Sequence, residues 1–211
     1  MKEYTVDPAF VISDEPALRS LFEATHTLAA LKSQDALDTH AQAFIRRSPF
    51  VCIGTQGLDG KADVSPRGDP VGFVRILDEH TLAIPDRPGN NRLDSLANIV
   101  ANPNVGLLFI IPGFDDTLRV NGIAEIRDDE DLRARFDVKG RLPATVMLIH
   151  VRQAYLHCAK AFMRSKLWDP DARVDRKRLP SLGQMIKDQI SGDITISSDE
   201  ELAEIYRHTL Y

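Results

Sequence analysis

The chain has 211 residues, 43% hydrophobic and 27% charged, with a formal net charge of −5, a globular balance long enough to bury a core. No face-wide positive field follows from such a charge, so a nucleic-acid partner is not expected. No run approaches the ~18 apolar residues of a membrane span, Met1-Lys2-Glu3-Tyr4-Thr5 lacks a signal-peptide layout, and two cysteines cannot staple a domain this size, so a cytoplasmic protein without a membrane partner is expected.

Residues 1–48 read as helical, with Leu18, Leu21 and Phe22 at helical spacing in Glu15–Ala24 and Ala41, Phe44 and Ile45 likewise in Leu37–Arg47. Short β-rich runs follow. Phe50–Thr55 and Ala62–Ser65 flank Asp59-Gly60, a hairpin signal. Gly72–Leu77 and Thr81–Ile84 form the next pair. Arg92–Ala101 places Leu93, Leu96, Ile99 and Val100 on one helical face and is stopped by Asn102-Pro103. Val105–Ile111 and Leu118–Ile126 are strands, Asp128 to about Phe136 a charged helix, and Ala144–Cys158 the longest β-like run. Leu182–Ile190 and Asp199–Leu210 are the best helices of the remainder. About six strands with hairpin links and few crossover helices predict a mainly β (α+β) protein, an antiparallel barrel with flanking helices.

Three clusters carry the chemistry. The first, Ile84-Pro85-Asp86-Arg87-Pro88-Gly89-Asn90-Asn91-Arg92, opens a helix. With Asn91 as N-cap and Asp94 at the third helical position, amides near Asn90, Asn91 and Arg92 face outward at the positive end of the helix dipole, where phosphate binds well. Gly89 allows close backbone approach, and Arg87 and Arg92 add charged forks. The alternative is a capped helix whose surface arginines pair with Asp86 and Asp94. In the second, Val64-Ser65-Pro66-Arg67-Gly68-Asp69, Pro66 and Gly68 fix the places of Arg67 and the Ser65 hydroxyl. Arg67, Arg75, Arg87 and Arg92 are expected to converge on one anion. The alternative is a turn with an exposed arginine. The third, His157 to Trp168, sets Lys160 and Arg164 on one helical face near the only tryptophan.

Other chemistries fit less well. His157 and Cys158 are adjacent, so on a strand they face opposite sides. The remaining histidines show no metal-ligand spacing, and no nucleophile elbow, P-loop or dinucleotide fingerprint is present. No catalytic residue and no metal ligand is assigned.

With these clusters in this order the chain resembles the pyridoxamine 5′-phosphate oxidase-like flavoproteins. Within them it is similar to a bacterial "oxidase-related" subgroup carrying "ADVSPRGDP", "IPDRPGNNR" and a late "HC-x-KA". The resemblance spans roughly residues 35–190 and implies a six-stranded antiparallel FMN-binding split β-barrel. A core at 49–160 would lie between an N-terminal helical extension packed on it, 1–48, and a C-terminal helical segment, 161–211, contributing to dimer and site. It further implies that Val64, Ser65, Arg67 and Ile84 lie beside the flavin, and that Asp86, Arg87, Asn90, Asn91 and Arg92 hold its ribityl and phosphate groups. It implies a homodimer with the flavin at the interface, Lys160, Arg164 and Trp168 coming from the second subunit. The implied activity is an FMN-dependent oxidoreductase acting on a small-molecule substrate. The alternative is non-catalytic binding or storage of flavin, deazaflavin or haem, with His157 the haem candidate. The true vitamin B6 oxidases carry Ser-Arg-Lys where this chain has Asn90-Asn91-Arg92, and their C-terminal substrate pattern is not found in residues 191–211. FMN binding therefore carries over better than oxidation of pyridoxamine phosphate.

Overall fold

In the computed structural model, which describes residues 6–190 and 197–211, strands form where the sequence alternates. The described strands are β1 (Phe50–Gln56), β2 (Ala62–Gly68), β3 (Arg75–Asp78), β4 (Thr81–Pro85), β5 (Asn104–Ile110), β6 (Thr117–Arg127) and β7 (Val146–His157). The helices are α1 (Glu15–Ser20), α2 (Thr27–Leu31), α3 (Thr39–Ile45), α4 (Asp94–Ala101), α5 (Glu130–Ala134), α6 (Lys160–Ser165), α7 (Leu182–Gln189) and α8 (Asp199–Thr209). Residues 1–5 and 191–196 of the two expected helical extensions lie outside the described residues.

The chain divides between Ser33 and Gln34 into two compact units. Before it lie a 3-10 turn at Pro8–Phe10, α1 and α2, with no buried side chain in any of the three. After it, α3 buries Ala41, Phe44 and Ile45 in the barrel core.

The second unit is built on one antiparallel sheet of seven strands, not six, in the order β2-β1-β5-β6-β7-β4-β3. One face supplies the core, because strand side chains alternate: Val51 and Ile53 from β1, Val105, Leu107 and Phe109 from β5, Leu118 and Val120 from β6, and Met147, Ile149 and Val151 from β7 are all buried. Leu82 and Ile84 of β4 and Ile99 of α4 join them. The expected turn between β1 and β2 is present, with Gly60 at φ +80°. A bulge in the β6–β7 pairing falls at Asn121/Gly122. A Cβ at Gly122 would stand 2.4 Å from the His150 carbonyl oxygen, so only glycine admits this approach.

Strands β2 and β4 stand five places apart in the sheet, about 24 Å if it were flat. Arg67 of β2 nevertheless lies 3.8 Å from Asp86, one residue beyond β4. The sheet is therefore rolled into a barrel, and β2 and β4 do not pair across the gap. This is the expected mainly β split barrel with flanking helices. Among the described residues no helix is long and apolar enough to cross a membrane.

Candidate anion-binding site

The gap between β2 and β4 holds a cavity of about 720 Å³. Period-two alternation turns Asp63, Ser65 and Arg67 of β2 into it. Arg67 is three-quarters buried, and its Nε is buried with no hydrogen-bond partner. A donor without an acceptor in so buried a place costs free energy, on the order of 1–3 kcal/mol, unless a ligand supplies the acceptor. Burial pushes the Asp86 carboxyl above the usual carboxylate range, against the pull of Arg67.

The turn Pro88–Leu93 forms the opposite wall. The Asn90 side chain accepts from the Arg92 amide at 3.1 Å, a local turn that asparagine favours. Asn91 and Leu93 both adopt left-handed backbone, at φ 57° and 60°. That conformation suits asparagine, but for a bulky residue such as Leu93 it is strained, on the order of 1–3 kcal/mol, and such strain concentrates at ligand sites. Leu93, not Asn91, is the N-cap of α4, and no side chain caps the helix. The left-handed residues Asn91 and Leu93 prolong the turn, so the helix begins two residues later than expected. The first-turn amides of α4, which lack intrahelical acceptors in any α-helix, stand at the cavity with the positive end of the dipole.

Three polar ties along its length hold α4 in place. Ser95, 3% exposed, donates to Asp63 at 2.7 Å. Asn98 donates to Thr55 Oγ1 and Asn102 to the Gln56 carbonyl, each at 3.0 Å. Across the cavity Arg133 of α5 donates through Nε to the Pro143 carbonyl at 2.7 Å, and Leu142, Pro143 and Ala144 complete the lining.

Arg87 lines the cavity but is largely committed elsewhere. Its Nε donates to Asp69 at 2.8 Å, its Nη1 to the Phe136 carbonyl at 3.0 Å, and its guanidinium stacks 5.3 Å from the Tyr211 ring. Tyr211 donates its hydroxyl to the same Asp69, which raises the phenol pKa. Arg141 reaches the Tyr211 carbonyl.

Of the expected residues, Ser65, Arg67, Asp86, Arg87, Asn90, Asn91 and Arg92 meet at this cavity. Arg92 is exposed and pairs with Asp94 at 2.7 Å, as the capped-helix reading expected. Two expected neighbours of the flavin do not line it. The pleat turns Val64 to the other face of β2, 70% exposed, toward a separate cavity shared with Cys52, Gly106, His157 and Phe162. Ile84 is fully buried in the barrel core. Arg75 does not converge either; its guanidinium lies 5.3 Å from the Phe136 ring. Lys160, Arg164 and Trp168 lie outside the cavity of their own chain, and Trp168 donates to the Phe114 carbonyl at 2.8 Å. Asp63, Ser95 and Arg133 were missed. The period of β2 points to Asp63; nothing local marks Ser95 or Arg133, which arrive through tertiary structure.

Four arginines and a helix N-terminus against Asp63, Asp86 and Asp94 suit a phosphate, while the carboxylates and Asn90 suit a hydroxyl-bearing body beside it. No histidine or cysteine lines the cavity. Among the described residues no group of three or more His, Cys, Asp or Glu is placed to hold a metal.

A family model described as pyridoxamine 5′-phosphate oxidase matches residues 37–158, more than half of the chain. The chain belongs to this family. The matched residues run from just before α3 to the end of β7 and include β2, the turn and α4. A search of curated proteins finds no match. Solved structures similar to this family member include HupZ of Group A Streptococcus, at 20% identity and TM-score 0.46, over 56% of this chain and 90% of that one. General stress protein 26 of Bacillus anthracis str. Sterne follows at 18% and 0.43, over 55% and 88%. An FMN-binding protein of Syntrophomonas wolfei subsp. wolfei has 8% and 0.42, over 56% and 88%.

Proposed function

We propose that this protein binds FMN in the β2–β4 gap and is an FMN-dependent oxidoreductase acting on a small-molecule substrate in the cytoplasm. The observation that carries the reading is the pairing, in one cavity, of an uncapped α4 N-terminus with a buried Arg67 Nε that lacks an acceptor. Both deficits are met by one phosphate. Arg67, Arg92 and the first turn of α4 would hold it, Ser65, Asp86 and Asn90 would meet the hydroxylated chain, and Arg87, fixed by Asp69, would supply charge from the wall. When bound, the flavin supplies two-electron transfer; the chain's own residues bind and orient it and exclude water from the gap.

A second copy is part of this reading. Lys160, Arg164 and Trp168 sit away from their own cavity, beside the outer sheet face where Leu108 and Val64 border a second cavity of about 530 Å³. In a homodimer they would approach the partner's flavin.

The purified protein should be yellow, or become so with added FMN, and release FMN on heating. A protein that stays colourless after FMN addition and gel filtration contradicts the reading. The same cavity would equally serve a second possibility, a flavin or deazaflavin carrier without turnover. Reduction of the bound flavin by a nicotinamide donor decides for the enzyme.

A further inference from the structure

Four arginines line the β2–β4 cavity, and they are not held alike. Arg92 is exposed and turned to Asp94, Arg67 meets Asp86 at 3.8 Å, and Arg133 donates to a single carbonyl. Among the described residues only Arg87 of the four is fixed on three sides. In the guanidinium plane, Nε donates to Asp69 and Nη1 to the Phe136 carbonyl, and the Tyr211 ring lies across its face. Nη2 is the nitrogen that these contacts leave over. Asp69 is the centre of the hold. Its carboxylate is only 4% exposed, a place where a charge is tolerated when it is paired and hydrogen-bonded. Oδ2 accepts from Arg87 and Oδ1 from the Tyr211 hydroxyl. Its amide donates to the Pro49 carbonyl at 3.1 Å, which ties it to the start of β1. Tyr211, two residues beyond α8, is held in turn by Arg141, which donates to its carbonyl. Neither Asp69 nor Tyr211 lines the cavity itself.

We infer that Asp69 and Tyr211 are positioning residues, which touch no ligand but set the Arg87 guanidinium so that Nη2 is presented to the phosphate of the bound flavin. The role rests on the phosphate reading of the cavity proposed above. Its physical basis is side-chain entropy. A free arginine samples many rotamers, and a ligand that captures it must offset the freedom lost. Here that freedom is given up on folding, so the phosphate meets a fork already aimed. Ring and hydroxyl contribute separately. The hydroxyl occupies the second oxygen of Asp69 and so keeps the first turned to Nε. The ring, at cation–π distance, keeps the guanidinium from swinging out of its plane. Three segments far apart in the sequence thereby hold one side chain, and the residue beyond α8 becomes part of the grip on the ligand.

The test uses the full chain and two probes, FMN and riboflavin, read by flavin fluorescence titration. Wild type is compared with Tyr211→Leu, Arg87→Met and the double variant carrying both. Tyr211 belongs to neither cluster of the core, so its replacement leaves the barrel standing. Tyr211→Leu is expected to raise the FMN dissociation constant about three- to tenfold, the effect of ordering one long side chain. Its riboflavin dissociation constant should stay within about twofold, because the effect travels through the phosphate. In the Arg87→Met background the same substitution should add less than about twofold, since a double-mutant cycle confines the effect to Arg87. An unchanged FMN constant in Tyr211→Leu overturns the inference. So does a loss shared equally by riboflavin, or one that persists in full without Arg87, since either marks a general loosening of the fold. A wild type that binds both probes equally removes the phosphate reading and the inference with it. A wild type that prefers FMN, beside a Tyr211→Leu variant that prefers it as strongly, overturns the inference alone.

Discussion

Replacing Arg67 by methionine keeps the aliphatic stem and removes the charge and the donors. In the ligand-free protein two effects oppose each other. The buried Nε has no acceptor, so its loss relieves an unmet donor, about 1–3 kcal/mol. The ion pair with Asp86 at 3.8 Å is long and partly solvated, so losing it costs roughly 1 kcal/mol. Net stability near pH 7 should therefore rise by about 0–2 kcal/mol. The ligand feels the change much more. A charge-assisted hydrogen bond to phosphate is worth about 1.5–3 kcal/mol, so the FMN dissociation constant should rise about 10- to 150-fold. Asp86 adds a pH signature. Burial raises its folded-state pKa and Arg67 opposes the rise, so the variant's Asp86 should titrate higher still. A carboxyl with a raised folded pKa gives stability that is complete below its unfolded pKa, near 4, and is lost as pH climbs through the folded value. Arg67→Met should thus compare more favourably with wild type near pH 4 than near pH 7. Flavin fluorescence titration reads the affinity and urea unfolding at the two pH values reads the stability. An unchanged dissociation constant would refute the reasoning, and so would a collapse of the ligand-free fold.

Three further substitutions probe the frame of the site. A Cβ at Gly89 meets nothing within 4 Å and the backbone there is not left-handed, so Gly89→Ala should leave ligand-free stability within about 0.5 kcal/mol while weakening FMN binding, since the added methyl would stand where the ligand approaches the turn; equal affinity by titration would remove Gly89 from the site. Ser95→Ala strips the buried tie to Asp63, and urea unfolding should show a loss of about 1–2 kcal/mol with weaker FMN binding as the end of α4 loosens. Tyr211→Phe removes the hydroxyl from Asp69. Because Asp69 raises the Tyr211 pKa, the contribution of that hydroxyl is complete below the usual phenol value near 10 and lost above the raised one; the stability gap between wild type and variant should close at strongly alkaline pH, and a gap independent of pH contradicts the hydrogen bond.

The barrel was legible because its signals are local. Asp59-Gly60 marks the first hairpin, and the apolar periods of β5, β6 and β7 are long enough to read within a residue or two. The short β3 was read as Gly72–Leu77 and begins three residues later, because its four residues have a mostly exposed pattern with little hydrophobic period to fix its bounds. Arg67, Asp86 and the Asn90-Asn91-Arg92 turn were readable because proline, glycine and asparagine announce their backbone needs. The shift of the α4 start from Arg92 to Asp94 was not, because left-handed Leu93 follows no local preference and is held by the Asp63–Ser95 and Thr55–Asn98 ties. Val64 and Ile84 do not line the cavity for different reasons. Val64 alternates away from the face of Ser65 and Arg67, while Ile84 is buried in the barrel core although it keeps step with Asp86, which lies one residue beyond β4. The commitment of Arg87 to Asp69, Phe136 and Tyr211 joins segments 18 to 142 residues apart, beyond the reach of any local pattern.

The central claim is that the gap recognises a phosphate. Equilibrium dialysis of the wild-type protein against FMN and against riboflavin, the same flavin without its phosphate, tests it most directly. The account predicts that FMN binds at least a hundredfold tighter, about 2.7 kcal/mol; equal affinity for the two would contradict it.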